Sequence, residues 1–344
     1  MNYNGEIMRS EISETPDVFT NISRSLPEIL RIAELIQEKG FNSVQIIARG
    51  TSKNAGKFLA NLIENYLGLP VSFPSLSSVS IYGSQLQYEN TLTIAISQSG
   101  ESPDLIAFMK AVNDQSATSI LITNKSTSPL ASYVTYVIDV KAGEEFAVAA
   151  TKSYSATLLV CYILICSIQK MDFNLESFLQ ASKKQIVSHD KIDLLAHKLN
   201  LEKPITLLGR GYFRGASDEA ALKIQETCTV NVQSYSAAEF VHGPISSLKN
   251  GDQVIILTSP NSPESALKDL MPSIRDKKPV IFWIGDNALV RTGEIVFTYE
   301  TVNSEELSAI LVSIVFQQLA CELSLKMGLN PDAPVGLKKV TRTN

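Results

Sequence analysis

The chain has 344 residues, enough for two domains of ordinary size, and 44% of them are hydrophobic, enough for substantial cores and too many for disorder. Lys and Arg number 30 against 35 Asp and Glu, a net charge of −5, and no long basic run is present. That argues against a nucleic-acid surface but leaves room for a local basic pocket that takes an anionic metabolite.

The start of the chain, Met1-Asn2-Tyr3-Asn4-Gly5-Glu6, is polar and lacks a signal-peptide core. Helical periodicity first appears over residues 26–39, and an apolar run over 44–48 reads as a strand. Arg49-Gly50-Thr51-Ser52 then leads into a helical pattern over 54–67. A second strand is expected at 91–97 and a helix at 105–114, with Pro103 suited to its first turn. Strands at 119–123 and 136–140 precede an apolar helix at 152–169. Its most apolar stretch, 157–166, falls short of the ~20 residues that cross a bilayer, so a buried core helix is expected and no membrane contact. The polar stretch 182–193 reads as a linker. Beyond it, helices at 194–199, 216–230 and 307–327 alternate with strands at 205–209, 254–258, 280–284 and 295–298. This alternation predicts an α/β protein with parallel sheets flanked by helices.

The pattern also repeats. Val44 to Ser52 and Ile205 to Phe213 are both an apolar strand, then Arg-Gly, then a helix, at an offset of 211 − 50 = 161 residues. Residues 254–262 similarly echo 91–102, so two related halves are expected.

The loop Ser97-Gln98-Ser99-Gly100-Glu101-Ser102 lies between a strand end and a helix start. Such a helix start offers backbone N–H groups and partial positive charge, which suits a phosphate. Three hydroxyls add donors, and Gly100 permits close approach. The loop reads as a phosphate cradle without the lysine of a P-loop, or as an ordinary serine-rich turn. Thr51 and Ser52 end the preceding strand, where they can hold the same phosphate or cap the next helix.

Glu144-Glu145 followed by Phe146-Ala147-Val148-Ala149-Ala150-Thr151-Lys152 suggests surface acids or a loop packed against something. Glu219, Lys223 and Glu226 share one helix face, either as a solvated row of ion pairs or as a carboxylate base beside an ammonium. His242 precedes Gly243-Pro244 and so lies on a loop, as a proton shuttle or a structural residue. Lys338 and Lys339 belong to a basic tail, solvated or folded over a pocket as a lid. Four cysteines without a C-x-x-C pair fit a reduced, cytoplasmic protein. Three histidines without ligand spacing argue against a metal site.

In this order the segments resemble the double SIS (sugar isomerase) domain family. The nearest pattern is the isomerase part of glucosamine-6-phosphate synthase and its stand-alone relatives, the SIS-type glucosamine-6-phosphate deaminases. The likeness runs from Met8-Arg9-Ser10 to Lys339-Val340-Thr341 and rests on Ser97–Ser102, Ala149-Ala150-Thr151-Lys152 and Glu239-Phe240-Val241-His242-Gly243-Pro244. It implies two three-layer, flavodoxin-like SIS domains at 41–190 and 200–330, a helical segment at 1–40, and a tail at 331–344 over the active site.

The resemblance implies that Ser52, Ser97, Gln98, Ser99 and Ser102 bind the sugar phosphate, Ser102 standing where the synthase has threonine. It places Val148 and Ala149 against the sugar, with Glu219 on the same substrate-binding side. Glu226 becomes the base between C1 and C2, with Lys223 beside it, and His242 the ring-opening group donated by the second subunit of a homodimer. Lys339 matches the tail lysine by Pro-x-x-Leu-x-Lys spacing, Lys338 by anchoring on Val-Thr. No metal or organic cofactor is implied. The synthase carries a nucleophilic cysteine directly after Met1; here residue 2 is Asn2, so glutamine-dependent amination is not expected. The expected activity is glucosamine-6-phosphate deamination to fructose-6-phosphate and ammonia. A deglycase of glycated amino-acid phosphates and a non-catalytic phosphosugar sensor remain as alternatives.

Overall fold

The computed structural model of the chain describes residues 4–187 and 189–339. The chain opens with α1 (Glu6–Ser13), α2 (Thr15–Arg24) and α3 (Leu26–Lys39). It continues through β1 (Ser43–Ile47), α4 (Gly50–Leu62) with a π-helical turn at Ile63–Leu67, β2 (Val71–Ser72) and α5 (Leu76–Ser80). Then come β3 (Thr91–Ile96), α6 (Pro103–Asp114), β4 (Ser119–Thr123), β5 (Tyr136–Asp139) and α7 (Lys152–Ile168). The second half runs α8 (Glu176–Val187), α9 (His189–Lys198), β6 (Ile205–Gly209), α10 (Phe213–Cys228), β7 (Val232–Ser236) and α11 (Ala237–Val241). It ends with β8 (Gln253–Leu257), α12 (Met271–Asp276), β9 (Val280–Ile284), β10 (Ile295–Phe297) and α13 (Glu305–Lys326).

Two compact units result. The amino unit is built from Asp17–Glu145 and Lys152–Asn174 and takes in Lys338 and Lys339. Its sheet is all parallel, in the order β2-β1-β3-β4-β5. Parallel strands carry helices on both faces, so their residues are apolar almost continuously. Ile47 and Ala95 face a core with Phe108, Met109 and Val112 of α6 and Leu76 of α5. Val44, Leu92 and Ile94, out of phase with them, share an apolar cavity lining with Ile36 of α3 and Ile165 of α7. Helix α7 is buried on nearly every side, as expected of a core helix.

The carboxy unit is built from Leu175–Leu337, Phe146–Thr151 and the chain up to Pro16. Its parallel sheet runs β7-β6-β8-β9-β10. Each sheet therefore places its second strand, then its first, third, fourth and fifth side by side, the flavodoxin-like order. The expected duplication is also visible in the backbone. Gly50 after β1 (φ 48) and Gly211 after β6 (φ 55) both take the left-handed conformation that glycine adopts without strain. Trp283, Phe240, Met271 and Ile256 centre the core on the α11–α12 face, while α10 packs against α13 on the other. Helix α13 is long and apolar enough to cross a membrane, but 94% of that stretch is buried within the protein.

Residues 182–187 and 189–193 of the expected linker are instead helical, in α8 and α9. Its polar residues find partners on helices: Ser182 donates to the Leu179 carbonyl, and the Gln185 amide donates to Gln318. Edge strands β2 and β7 escape the sequence pattern because neither is a run of apolar residues long enough to read. One is two residues long, and the other, Val-Gln-Ser-Tyr-Ser, is buried at one residue only.

Candidate active site

In an open parallel sheet, ligands gather at the carboxyl ends of strands where the strand order reverses. In the amino unit that point lies between β1, whose successor pairs on one side, and β3, which pairs on the other. What opens there are the first turn of α4 with its N-cap Arg49, and the loop Ser97–Ser102. They are tied together by Arg49, whose Nε donates to Asp104 Oδ2 at 2.7 Å across the base of α6.

Within the second loop, Ser97 Oγ accepts the Gly100 N–H at 3.1 Å and Ser99 Oγ accepts the Glu101 N–H at 3.4 Å. Each hydroxyl, having accepted, keeps its own O–H to donate. Ser102 takes the N-cap position of α6 and Pro103 follows, yet the Ser102 side chain makes no capping bond. Thr51 and Ser52 lie inside the first turn of α4, whose N-cap is Arg49. Gly100 is required: φ is +61°, and a Cβ there would sit 2.0 Å from Ser128 Oγ. The nearby cations are matched by acids, Arg49 by Asp104 and Lys125 by Glu101 at 2.7 Å. The loop's donors for an anion are therefore neutral hydroxyls and N–H groups at the start of α6.

Gln98 connects the loop to a buried carboxylate. Its Nε2 donates to Glu145 Oε2 at 3.2 Å, and Glu145 also accepts the Ser153 N–H (3.0 Å), the Ser153 hydroxyl (2.7 Å) and the Lys339 ammonium (2.7 Å). The Glu145 side chain has no exposure. Burial pushes its carboxyl up, but the Lys339 charge and the Ser153 donors outweigh burial and hold it below the usual value. Glu144 is a surface acid; Glu145 is not. Lys338 is exposed, whereas Lys339 is the lysine engaged by Glu145.

The carboxy unit carries the second constellation, on α10. Lys223 Nζ lies 2.5 Å from Glu226 Oε2 and 3.4 Å from Glu219 Oε1. Side-chain exposure is 1% for Lys223, 3% for Glu219 and 23% for Glu226, so this face is not a solvated row of ion pairs. Burial lowers an ammonium's pKa, but the two carboxylates prevail and raise that of Lys223. Lys223 is thus a fixed positive charge at neutral pH, suited to stabilising an anion and not to attacking a carbonyl. Glu226 alone of the three reaches solvent, as a general base must. His242 is exposed just after α11. Val148 is half-buried, its N–H donating to the Asp332 carbonyl at 3.0 Å, and Ala149 is buried.

The SIS domain matches this chain twice, over residues 35–167 and 198–327. The chain belongs to the SIS domain family. Among its relatives is the glutamine–fructose-6-phosphate aminotransferase of Methanothermobacter thermautotrophicus, 28% identical over 338 residues. That of Sulfurisphaera tokodaii is 30% identical over the same length. The alignments cover 96% of this chain but 56% of those enzymes, so the chain spans just over half the length of these relatives. In three dimensions the chain resembles a protein of Silicibacter pomeroyi described as a phosphosugar isomerase (TM-score 0.85, 28% identity, 96% and 100% of the two chains). It shares its fold with a glucosamine-6-phosphate deaminase of Thermotoga maritima (TM-score 0.71, 22% identity, 96% and 100%).

The two SIS domains differ in their crevices. In the second, the loop after β8 also carries serines, but they bond inward. Ser259 N–H and Oγ meet Ser262 Oγ at 3.1 and 3.2 Å, and Ser262 Oγ donates to Glu305 Oε1 at 2.9 Å. Arg210 turns aside to the Ala266 carbonyl at 2.7 Å. A carboxylate thus takes the hydroxyl that an anion would need. Burial pushes the Glu305 carboxyl up against the opposing Ser262 bond, and the Glu306 charge adds to the rise. In the first SIS domain the hydroxyls of Ser97 and Ser99 accept from loop N–H groups, and among the described residues they show no bond to an acid. Sequence reasoning missed Glu145 as a site residue. The signal was the small-residue run after it, which forces that segment to pack closely.

Proposed function

We propose that this SIS protein is a cytoplasmic, isomerising glucosamine-6-phosphate deaminase, yielding fructose-6-phosphate and ammonia. The observation that carries the proposal is Glu226, a solvent-reaching carboxylate set beside a buried Lys223 whose charged form the two flanking carboxylates favour. Support also comes from the hydroxyl cradle of Ser97, Ser99 and Ser102 with Ser52 and Thr51, from Gln98, and from the resemblance itself.

In this reading the phosphate is held by the cradle, so binding energy from a non-reacting group orients the carbons that react. His242, contributed by the second copy in a homodimer, opens the ring. Glu226 removes the proton from C2 of the open-chain aldehyde while O1 gains one, giving an enolamine. Return of the proton to C1 leaves a protonated imine at C2. Water adds there, ammonia departs with the C2–N bond, and the C2 ketone remains. Lys223 stabilises the developing negative charge, and Glu219 fixes Lys223. Val148 and Ala149 shape the sugar side, and Lys339 closes the tail over it.

The test is release of ammonia and fructose-6-phosphate from glucosamine-6-phosphate without glutamine, by coupled assay. Glu226→Gln is expected to lower kcat by at least about 10³-fold with the sugar-phosphate Kd changed less than about threefold. Turnover by that variant, or no ammonia from the unaltered protein despite saturable sugar-phosphate binding, would overturn the proposal.

A further inference from the structure

At the opposite end of β1 and β3 from the phosphate cradle, a cavity of about 190 Å³ opens in the amino unit. Val44 and Leu92 contribute from the starts of these strands, Ile165 and Ile168 from the last turn of α7, and Leu67 from the π-helical turn after α4. Of thirteen lining residues, only Gln37, Gly40 and Gln169 are not apolar. It opens to the surface beside the exposed Gln37, Gly40 and Gln169, and its inner wall is formed by the buried Ile36, Val44, Leu92 and Ile94. Water against the inner wall meets hydrocarbon, with the two amide side chains for partners at the rim only. An apolar cavity of about 150 Å³ is large enough to take up benzene. One wall is a π-helical turn, a departure from α-helix that recurs at functional sites.

We propose that this cavity is a binding site for a compact, uncharged apolar molecule of one or two fused rings, with a polar edge that an amide can meet. It is separate from the cradle, because the lining residues Val44 and Leu92 are at the amino ends of strands whose carboxyl ends lead to the start of α4 and to the Ser97–Ser102 loop.

The probe is indole, followed on the full chain by saturation-transfer NMR and equilibrium dialysis. Saturable binding with Kd of about 0.1–1 mM is expected, the affinity of a ligand with some nine heavy atoms. Leu69→Trp enlarges a half-buried lining residue and is expected to weaken indole at least tenfold without lowering the melting temperature. Leu67→Phe is the second variant should the first fold poorly. Glucosamine-6-phosphate in excess is expected to leave indole bound. Absence of saturable binding up to about 10 mM, equal affinity in both variants, or displacement by the sugar phosphate would each overturn the proposal.

Discussion

Replacing Lys223 by methionine tests the reading of α10 most directly. Methionine keeps the length and bulk of the side chain and removes only the charge. Glu226, 23% exposed, can turn to water when its partner is lost; Glu219, 3% exposed, cannot. Removing one partner of a buried ion pair leaves an uncompensated charge and costs about 3–5 kcal/mol. With a urea m-value of about 2 kcal/mol/M, the carboxy unit's midpoint should fall by about 1.5–2.5 M. Trp283 reports on this, being the chain's single tryptophan and fully buried in that unit. The double variant Glu219→Gln/Lys223→Met should recover much of the loss, since a buried amide carries no charge. The pH dependence has a definite sign. Lys223 is raised above its usual value of 10.5, so its contribution is complete below that pH and is lost as pH rises through the folded-state value. The unaltered protein should therefore weaken above about pH 10.5 in a way the methionine variant does not. A midpoint shift below about 0.5 M, or a double variant no more stable than the single one, would refute the argument.

Three further outcomes follow from the amino unit. Gly100→Ala forces a Cβ onto Ser128 Oγ at 2.0 Å in a left-handed conformation, and should cost about 2 kcal/mol or more and weaken phosphate binding, read by denaturation and calorimetry. Glu145 is depressed below its usual 4.5, so its contribution is present above that pH and lost as pH falls through the folded-state value. Stability followed by circular dichroism should drop in acid below about pH 4, and Glu145→Gln should lack that part of the slope. Calorimetry with a phosphomonoester should find one site per chain, because Glu305 holds Ser262 in the second crevice; two equivalent sites would contradict this.

How much the sequence reveals depends on whether its signals are local. Strands β4, β6 and β9 are readable to the residue, since each is a short, largely apolar run, Ser-Ile-Leu-Ile-Thr, Ile-Thr-Leu-Leu-Gly and Val-Ile-Phe-Trp-Ile, as a parallel strand covered on both faces requires. The Ser97–Ser102 loop is readable because its hydroxyls, its glycine and the following proline are adjacent in the chain. Burial of a charged side chain is not local. Glu145 looks like a surface acid until Lys339, 194 residues away, is folded onto it. Glu219 and Lys223 look solvated until α13 covers α10. The polar stretch in α8 and α9 misleads for the same reason, since Gln185 meets Gln318 at a separation of 133 residues.

The two halves show what duplication leaves free to change. Strand order, the Arg-Gly turn and the serine-bearing loop after the third strand are common to both, so backbone geometry alone offers two anion crevices. Side-chain bonding separates them. In the first, hydroxyls accept from loop N–H groups and keep their protons for a ligand, while Gln98 leads to a carboxylate already matched by Lys339. In the second, Ser262 gives its proton to Glu305, and the local charge is that of an acid beside Glu306. A dianionic phosphate would meet repulsion there and a lost hydrogen bond, each enough to shift binding by an order of magnitude or more. On the proposed reading, the half whose crevice Glu305 closes to phosphate is also the half that carries Glu226 and Lys223.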